Sequence, residues 1–463
     1  MPNLADETTR YRLRVAGLLR AAANDLKRDE VNAAADLGLT LTEYRLLLAG
    51  QADLSWELID RAAKVWPLNE RDLLPVRDDA PLGVLIVDVA ESAASSRTLR
   101  RGGVDYYEYR DTAMSRLATF RPEYIRMLAV VDDDDPANST VQWNDGHLLY
   151  QFTFFVGPVN YYYKSGDRAF CVPMETGDSV WGVPYAPHSF TARDRSQDAY
   201  ILALTYGGQL VGDSQRELSA LGVHAAGSIG LPTGQSSNAT GAVLRDLLRA
   251  RLLTVAEVAA STGLARARVS DLCAGAASPD PAERALLAAA TGVSERDLMP
   301  RDTRVADGVR IKRRATARQW TLPAAGAAAY RICPLAGDPL HPDTTAAQIT
   351  VLGEAPDPDL LRTYQHTYFY VLDGAAALLR WEAAGVGHSR LVRPGDSGYA
   401  KPGVGLSFGA ADGLVRILLL RIGCAVTAEV RYALSGFTDE HLRRYLCEDR
   451  QWYRPAGRSA NET

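Results

Sequence analysis

Glu70-Arg71-Asp72-Leu73-Leu74-Pro75 recurs as Glu295-Arg296-Asp297-Leu298-Met299-Pro300, 225 residues further along the chain. At the same offset Gly38-Leu39 returns as Gly263-Leu264, and Gly50 as Gly275. Agreement at three places with one spacing marks an internal duplication. A chain of 463 residues is also too long for one ordinary hydrophobic core, and its length suggests about three domains.

Each repeat opens with a helical unit. In the second, Leu244, Leu247, Leu248, Leu252, Val255, Val258 and Ala259 fall at three-and-four spacing, which predicts a pair of amphipathic helices. Gly263 ends a helix, another runs through Val269-Ser270-Asp271-Leu272, and Asp280 caps a further one with Pro281 in its first turn. Such short helices look like a helix-turn-helix. That motif serves either DNA binding or helical packing and oligomerisation. The first copy's candidate recognition segment, Thr42-Glu43-Tyr44-Arg45-Leu46-Leu47, carries one acid and one base. Phosphate contacts need several cations on one face, so packing is the reading adopted.

A strand-rich stretch follows each helical unit. Val84-Leu85-Ile86-Val87, Ile125 to Val131, Tyr150 to Val156 and Ala199 to Leu204 are β-prone runs parted by Gly, Pro, Asp and Asn turns. In the second copy Tyr368-Phe369-Tyr370-Val371-Leu372 leads into the turn Asp373-Gly374. Gly177-Asp178-Ser179 reappears as Gly395-Asp396-Ser397, and Pro184 as Pro402, at an offset of 218. The expected fold is α+β, mainly β: a tandem repeat of an all-α helix-turn-helix-like unit and a β-barrel. Expected boundaries are 1–78 and 238–303 for the helical units and 79–232 and 304–440 for the barrels. A tail spans 441–463, loose after about Asn461.

Composition narrows the function classes. Net charge is −5 and the isoelectric point about 5.9, without the basic footprint of a nucleic-acid binder. A few cations focused in one pocket would still suit an anionic small substrate. No run approaches the roughly 18 apolar residues of a membrane span, and residues Met1 to Arg20 lack an apolar signal region. Cys171, Cys273, Cys333, Cys424 and Cys447 are scattered and never form a CxxC pair. That pattern predicts reduced thiols, a cytoplasmic location and no cysteine-built zinc site.

The seven histidines are His147, His188, His224, His341, His366, His388 and His441. Thr176-Gly177-Asp178-Ser179, leading through Pro184 to Pro187-His188, is a form of the second motif of cupin barrels (double-stranded β-helices). Asn144-Asp145-Gly146-His147-Leu148-Leu149-Tyr150-Gln151 stands at the first-motif position. In a strand, His147 and Gln151 would emerge on one face. His188 from a neighbouring strand would complete a facial set of three ligands, a donor pattern suited to non-haem iron(II) with open positions. Gln151 is a neutral amide where a carboxylate is usual. In the second barrel the position of His188 is Leu406; His366 lies near the place of His147, and Phe369 or Tyr370 stands for Gln151. The second barrel is therefore expected to be vestigial.

These motifs, with Arg101-Gly102-Gly103-Val104-Asp105-Tyr106-Tyr107-Glu108-Tyr109, resemble the hydroxyethylphosphonate dioxygenase and methylphosphonate synthase family over nearly the full length. The resemblance implies that Fe(II) is held by His147, Gln151 and His188. It further implies that Arg101 and Tyr109 grip phosphonate oxygens, that Asn144 adds an amide hydrogen bond, and that Lys27 reaches an active site. A planar Arg fork suits a phosphonate dianion. The implied reaction is dioxygen-dependent C–C cleavage of 2-hydroxyethylphosphonate, by a homo-oligomer (dimer or tetramer) if Lys27 acts across subunits. In the dioxygenase branch the third ligand is a Glu six residues before the second histidine, here Gly182. In the synthase branch it is a Gln four residues after the first, here Gln151. The resemblance thus points to methylphosphonate with carbon dioxide or bicarbonate. The alternative is hydroxymethylphosphonate with formate. A transcriptional regulator of helix-turn-helix and cupin build is the rival of another class. A thiol or diketone dioxygenase would have little use for Arg101, Tyr109 and Lys27.

Overall fold

Helix boundaries follow local capping chemistry. Thr40 and Asp280 each accept a hydrogen bond from the backbone N–H three residues on, and Glu43 and Glu283 return it, closing capping boxes. Gly263 ends its helix in the left-handed conformation (φ 73°), as expected, and its repeat mate Gly38 does the same (φ 67°). The computed structural model describes residues 4–225, 229–230, 239–300, 305–383, 385–410, 413–448 and 450. The tail beyond Asn461 and the boundaries set at 232, 238, 303 and 304 lie outside them.

The first repeat holds helices α1 (Leu4–Asp25), α2 (Glu30–Asp36), α3 (Leu41–Leu48) and α4 (Trp56–Val65), strand β1 (Val84–Val87) and helix α5 (Val89–Ala94). Strands β2 (Arg97–Arg101), β3 (Val104–Asp111), β4 (Arg121–Met127), β5 (Tyr150–Val156) and β6 (Val159–Ser165) follow. Then come β7 (Arg168–Met174), β8 (Ser179–Gly182), β9 (His188–Ala192), β10 (Tyr200–Tyr206) and helix α6 (Asp213–Ala220). The second repeat has α7 (Ala239–Ala250), α8 (Val255–Thr262), α9 (Arg266–Ala274), α10 (Pro281–Thr291), β11 (Val309–Lys312) and β12 (Trp320–Leu322). It continues with β13 (Tyr330–Pro334), β14 (Thr344–Val351), β15 (His366–Gly374), β16 (Ala377–Ala383) and β17 (Val386–Val392). It closes with β18 (Ser397–Ala400), β19 (Leu406–Ala410), β20 (Val415–Ile422), α11 (Ala428–Ser435) and α12 (Asp439–Leu446).

The sheets are not assembled from one repeat each. One seven-stranded sheet runs β11-β8-β5-β10-β4-β3-β2, and the other β1-β18-β15-β20-β14-β13-β12. Each repeat therefore lends its first strand to the other's sheet: Val84 to Val87 pair with Ala400 to Ser397, and Val309 to Lys312 with Gly182 to Ser179. Three-stranded sheets β7-β6-β9 and β17-β16-β19 complete the two β-units. The run expected through Val131 leaves its sheet at Met127. Val131 N–H then donates to Ala192 O (2.9 Å), so the chain crosses to β9.

The Gly-Asp-Ser turns fasten this exchange. Asp178 Oδ1 accepts from the Arg314 N–H (2.9 Å) and Asp396 Oδ1 from the Val89 N–H (2.9 Å), just beyond the two exchanged strands. Ser179 Oγ accepts from the Ala336 N–H (2.9 Å) and Ser397 Oγ from the Ala113 N–H (2.9 Å). The Arg313 guanidinium adds an ion pair to Asp178 (2.6 Å). The two seven-stranded sheets pack back to back through Phe152, Phe154, Trp181 and Leu204 on one side and Tyr368, Tyr370, Leu418 and Leu420 on the other. Arg71 pairs with Glu217 of α6 (3.0 Å) and Arg296 with Glu429 of α11 (2.7 Å), so each helical unit ties to the last helices of its own repeat.

The inner space of the second β-unit is filled by Phe369, Leu406, Phe408, Ile417 and Leu379. Phe369, the repeat mate of Gln151, is 0% exposed, and its ring lies so close to Gly398 that any Cβ there would collide. His366 does not face that interior: it turns into the layer between the sheets, where its Nδ1 meets Tyr399 Oη at 2.7 Å. Burial lowers its pKa to about 4. Asp178→Ala would strand the Arg313 charge and the Arg314 N–H, costing about 2 kcal/mol; the urea midpoint of unfolding should fall accordingly, with the slope unchanged.

Candidate metal centre

The inner face of β5 alternates with the outer one, so Gln151, Thr153 and Phe155 point inward while Tyr150, Phe152 and Phe154 enter the layer between the sheets. Gln151 Nε2 donates to Thr153 Oγ1 (2.9 Å), which turns its carbonyl oxygen toward His147. His147 Nε2 lies 3.0 Å from Gln151 Oε1. Contrary to the expectation, His147 is not on the strand. It sits in the loop before Tyr150, with its O accepting from the Tyr185 N–H (2.7 Å). Gly146 has φ 77°, and a Cβ there would lie 2.5 Å from the Tyr185 backbone, so only glycine lets the loop approach.

His188 opens β9, which belongs to the three-stranded sheet; it faces β5 across the unit instead of coming from an adjacent strand. The two imidazoles lie edge to face, with ring centroids 5.3 Å apart. His147 Nδ1 is 2.9 Å from Leu149 O, and His188 Nδ1 is 2.9 Å from Ala186 O. A carbonyl oxygen only accepts, so Nδ1 carries the proton in each neutral ring and Nε2 presents its lone pair. Burial lowers the His188 pKa to about 4; the Ala186 hydrogen bond opposes this, and the charges of His147 and Arg101 add to it. The ring is therefore neutral near pH 7.

This arrangement fits a metal ion. Two acceptors, His147 Nε2 and Gln151 Oε1, face each other at 3.0 Å, a repulsive contact until a cation lies between them. Bonds of about 2.1 Å meeting at a right angle put donor atoms about 3 Å apart. Among the described residues no cluster of three or more His, Cys, Asp or Glu could hold a metal. The amide is thus the third donor available. Gly182 is the Cα partner of Gln151 on β8, and a Cβ there would meet only ordinary contacts.

Asn144 Oδ1 accepts from the His188 N–H (2.8 Å) and the Gly146 N–H (3.1 Å), and its Nδ2 is 3.1 Å from His188 Nε2. It thereby ties the two histidine-bearing segments together. Arg101 ends β2, with Nη1 donating to Gln142 O (3.3 Å) and the guanidinium over the Tyr107 ring at 5.0 Å. Tyr109, on the inner face of β3, has its pKa raised by burial and by the Glu123 charge, against the pull of Arg101 and Arg97. His147, Gln151, His188 and Asn144 are thus in mutual contact, while Arg101 lies within electrostatic reach of both His188 and Tyr109. Lys27 is not among them: it is an exposed residue in the left-handed conformation (φ 59°) beyond α1, its Nζ donating to Asp25 O (3.0 Å).

Sequence reading missed two residues. Thr153, two positions beyond Gln151 on the same strand face, orients the Gln151 amide and was recoverable from period-two alternation. Glu123, on β4 opposite Asp111 and Ala203, is a half-buried carboxyl whose pKa burial raises, with Arg97 and His147 pulling it down. No local sequence signal places it beside a histidine 24 residues later.

No family model matches the chain. A curated relative, the methylphosphonate synthase of Nitrosopumilus maritimus (strain SCM1), is 36% identical over 450 residues, 96% of this chain and 97% of the relative. A solved structure of Streptomyces albus HEPD, with substrate 2-hydroxyethylphosphonate and Fe(II) bound, is 51% identical and superposes with a TM-score of 0.90, covering 96% of this chain and 99% of that one. A 2-hydroxyethylphosphonate dioxygenase variant at 22% identity and TM-score 0.73, covering 93% of this chain and 100% of its own, shares the fold. With such agreement along nearly its whole length, the chain belongs to the family of methylphosphonate synthases and 2-hydroxyethylphosphonate dioxygenases.

Proposed function

We propose that this chain binds a single Fe(II) through His147 Nε2, Gln151 Oε1 and His188 Nε2, and uses dioxygen to split the C–C bond of 2-hydroxyethylphosphonate. The observation that carries this reading is the pair of acceptors facing each other at 3.0 Å, each held by a fixed partner on its far side. The substrate and Fe(II) in the Streptomyces albus relative support it, and none of these relatives supports a regulator. On this reading each β-unit is a cupin barrel, only the first keeps a metal, and the helical units pack rather than bind nucleic acid.

Bound there, the metal supplies adjacent open positions where the substrate and dioxygen meet. The protein does the rest. The Arg101 fork and the Tyr109 phenol hold phosphonate oxygens by charge-assisted hydrogen bonds. Asn144 Nδ2, released from His188 Nε2 once that lone pair is taken, donates to the phosphonate as well. Thr153 keeps the Gln151 oxygen forward, and the buried ring of Phe190 beside His188 (5.7 Å between centroids) keeps water from that side. Lys27 serves the site of a neighbouring subunit, which makes the working form at least a dimer.

Substrate and dioxygen balance two product sets: hydroxymethylphosphonate with formate, or methylphosphonate with bicarbonate. Gln151 and Gly182 match the synthase pattern. Identity is 51% with the dioxygenase against 36% with the synthase, each over 96% of this chain. The first set is therefore the reading adopted here, and the second is retained because of Gln151.

Phosphorus NMR of the iron-loaded enzyme with 2-hydroxyethylphosphonate and dioxygen should show hydroxymethylphosphonate, with formate in equal amount. Methylphosphonate would establish the second reading, and no conversion at full iron occupancy would sink both. His188→Ala should abolish iron binding in a metal titration, and Thr153→Val should weaken it about tenfold by freeing the Gln151 amide. Arg101→Ala should cost about 2 kcal/mol of substrate binding, seen as a KM raised roughly thirtyfold with bound iron unchanged.

A further inference from the structure

One residue before Gln151 on β5, Tyr150 turns its ring away from the metal centre into the layer between the two seven-stranded sheets. There it stacks on Trp181, with centroids 5.7 Å apart and planes 13° from parallel. Trp181 Nε1 donates to Tyr206 Oη (2.8 Å), and Tyr206 donates to Asp338 Oδ2 (2.5 Å). His341 Nδ1 meets the same carboxylate oxygen at 2.7 Å, and Asp338 also accepts from the Leu340 and His341 N–H groups. The Asp338 side chain is 0% exposed while that of His341 is 22% exposed, and His341 lines a cleft of about 70 Å³. Trp181 and Tyr206 are fully buried. The series runs from beside a ligand strand to a partly exposed imidazole, crossing from the first repeat to the second.

We propose that Trp181, Tyr206 and Asp338 form a redox relay that draws oxidising equivalents out of the metal centre when dioxygen reacts there without a bound phosphonate. The inference rests on the proposed iron site. Trp and Tyr are the most readily oxidised aromatic side chains, and electron transfer between rings in contact is fast because it decays steeply with distance. The oxidant is dioxygen itself: Fe(II) and Tyr206 each give it one electron, two solvent protons join it, and it leaves as hydrogen peroxide with the iron as Fe(III). One electron passes from Tyr206 through Trp181, with Tyr150 stacked alongside, to that centre. The phenolic proton moves along its existing hydrogen bond to Asp338 Oδ2, leaving a neutral tyrosyl radical beside a carboxylic acid. A small thiol or ascorbate-type reductant then returns an electron by way of His341 at the cleft, and the proton goes back to Tyr206. Inner-face residues such as His147 and His188 are thereby spared oxidation.

The test uses the full chain loaded anaerobically with Fe(II), with iron content and nitric oxide binding measured first, then exposed to dioxygen without phosphonate. Electron paramagnetic resonance should reveal an organic radical whose hyperfine pattern changes with ring-deuterated tyrosine. Tyr206→Phe should remove that signal and raise oxidative modification of His147 and His188, mapped by mass spectrometry, severalfold. Asp338→Asn keeps hydrogen-bonding capacity for folding but removes the proton acceptor, and should lower the radical yield severalfold at unchanged iron content. An iron-loaded protein that forms no protein radical, or the same radical in Tyr206→Phe, overturns the relay while leaving the proposed function standing. Failure of the wild-type chain to bind iron overturns the proposed function and the relay with it.

Discussion

The exchange of first strands between repeats is the constraint on which the rest of the architecture depends. β1 completes the sheet of the second repeat and β11 that of the first, so neither seven-stranded sheet is whole without the other half of the chain. Asp178 and Asp396 hold the backbone just past those strands from nearly equivalent positions. A buried carboxylate is costly unless its lone pairs are filled; here one oxygen of each accepts from the other repeat (Arg314 and Val89 N–H) and the second from its own turn (Glu175 and Arg393 N–H). Gly182, opposite Gln151, is thereby flanked on its other side by Val309 of the second repeat. The unit that holds the candidate metal centre is thus built partly from the other repeat.

That arrangement accounts for two different interiors made from one ancestral pattern. In the second unit Phe369 and Leu406 occupy the places of Gln151 and His188, and the space closes as an apolar core. In the first, His147 and His188 each set Nδ1 against a backbone carbonyl and turn Nε2 inward, beside an amide fixed by Thr153. On the proposed reading, a donor set without carboxylates would leave a divalent cation its full charge, which favours capture of a doubly charged phosphonate next to it. Arg101, its guanidinium over the Tyr107 ring, adds a planar fork of donors.

Much of this was legible in the residues. Repeated hexapeptides and glycines revealed the duplication, and helix ends were readable because capping is chemistry between residues three or four apart. His147, Gln151 and His188 could be singled out as candidates because their motifs carry local turn signals, and the structure brings the three together. The strand assignment of His147 failed because the Asn144–Gly146 turn, held by Tyr185 and Asn144, keeps the chain out of the sheet. The apparent kinship of His366 and His147 did not survive either, since His366 faces the opposite side of its strand, toward Tyr399.

The sequence by itself determined the double helical-plus-β organisation, the candidate donors His147, Gln151 and His188, and the different residues at two of those positions in the second copy, Phe369 and Leu406. Each of these rests on neighbouring residues or on comparison of the chain with itself. Only the tertiary structure decided which strand completes which sheet, that the Gly-Asp-Ser turns clasp the opposite repeat, that Glu123 comes within electrostatic reach of His147, and that Trp181, Tyr206, Asp338 and His341 join in one line. Those contacts link residues far apart in sequence. Such pairings are set by burial and hydrogen-bond satisfaction in three dimensions, and no local spacing encodes them.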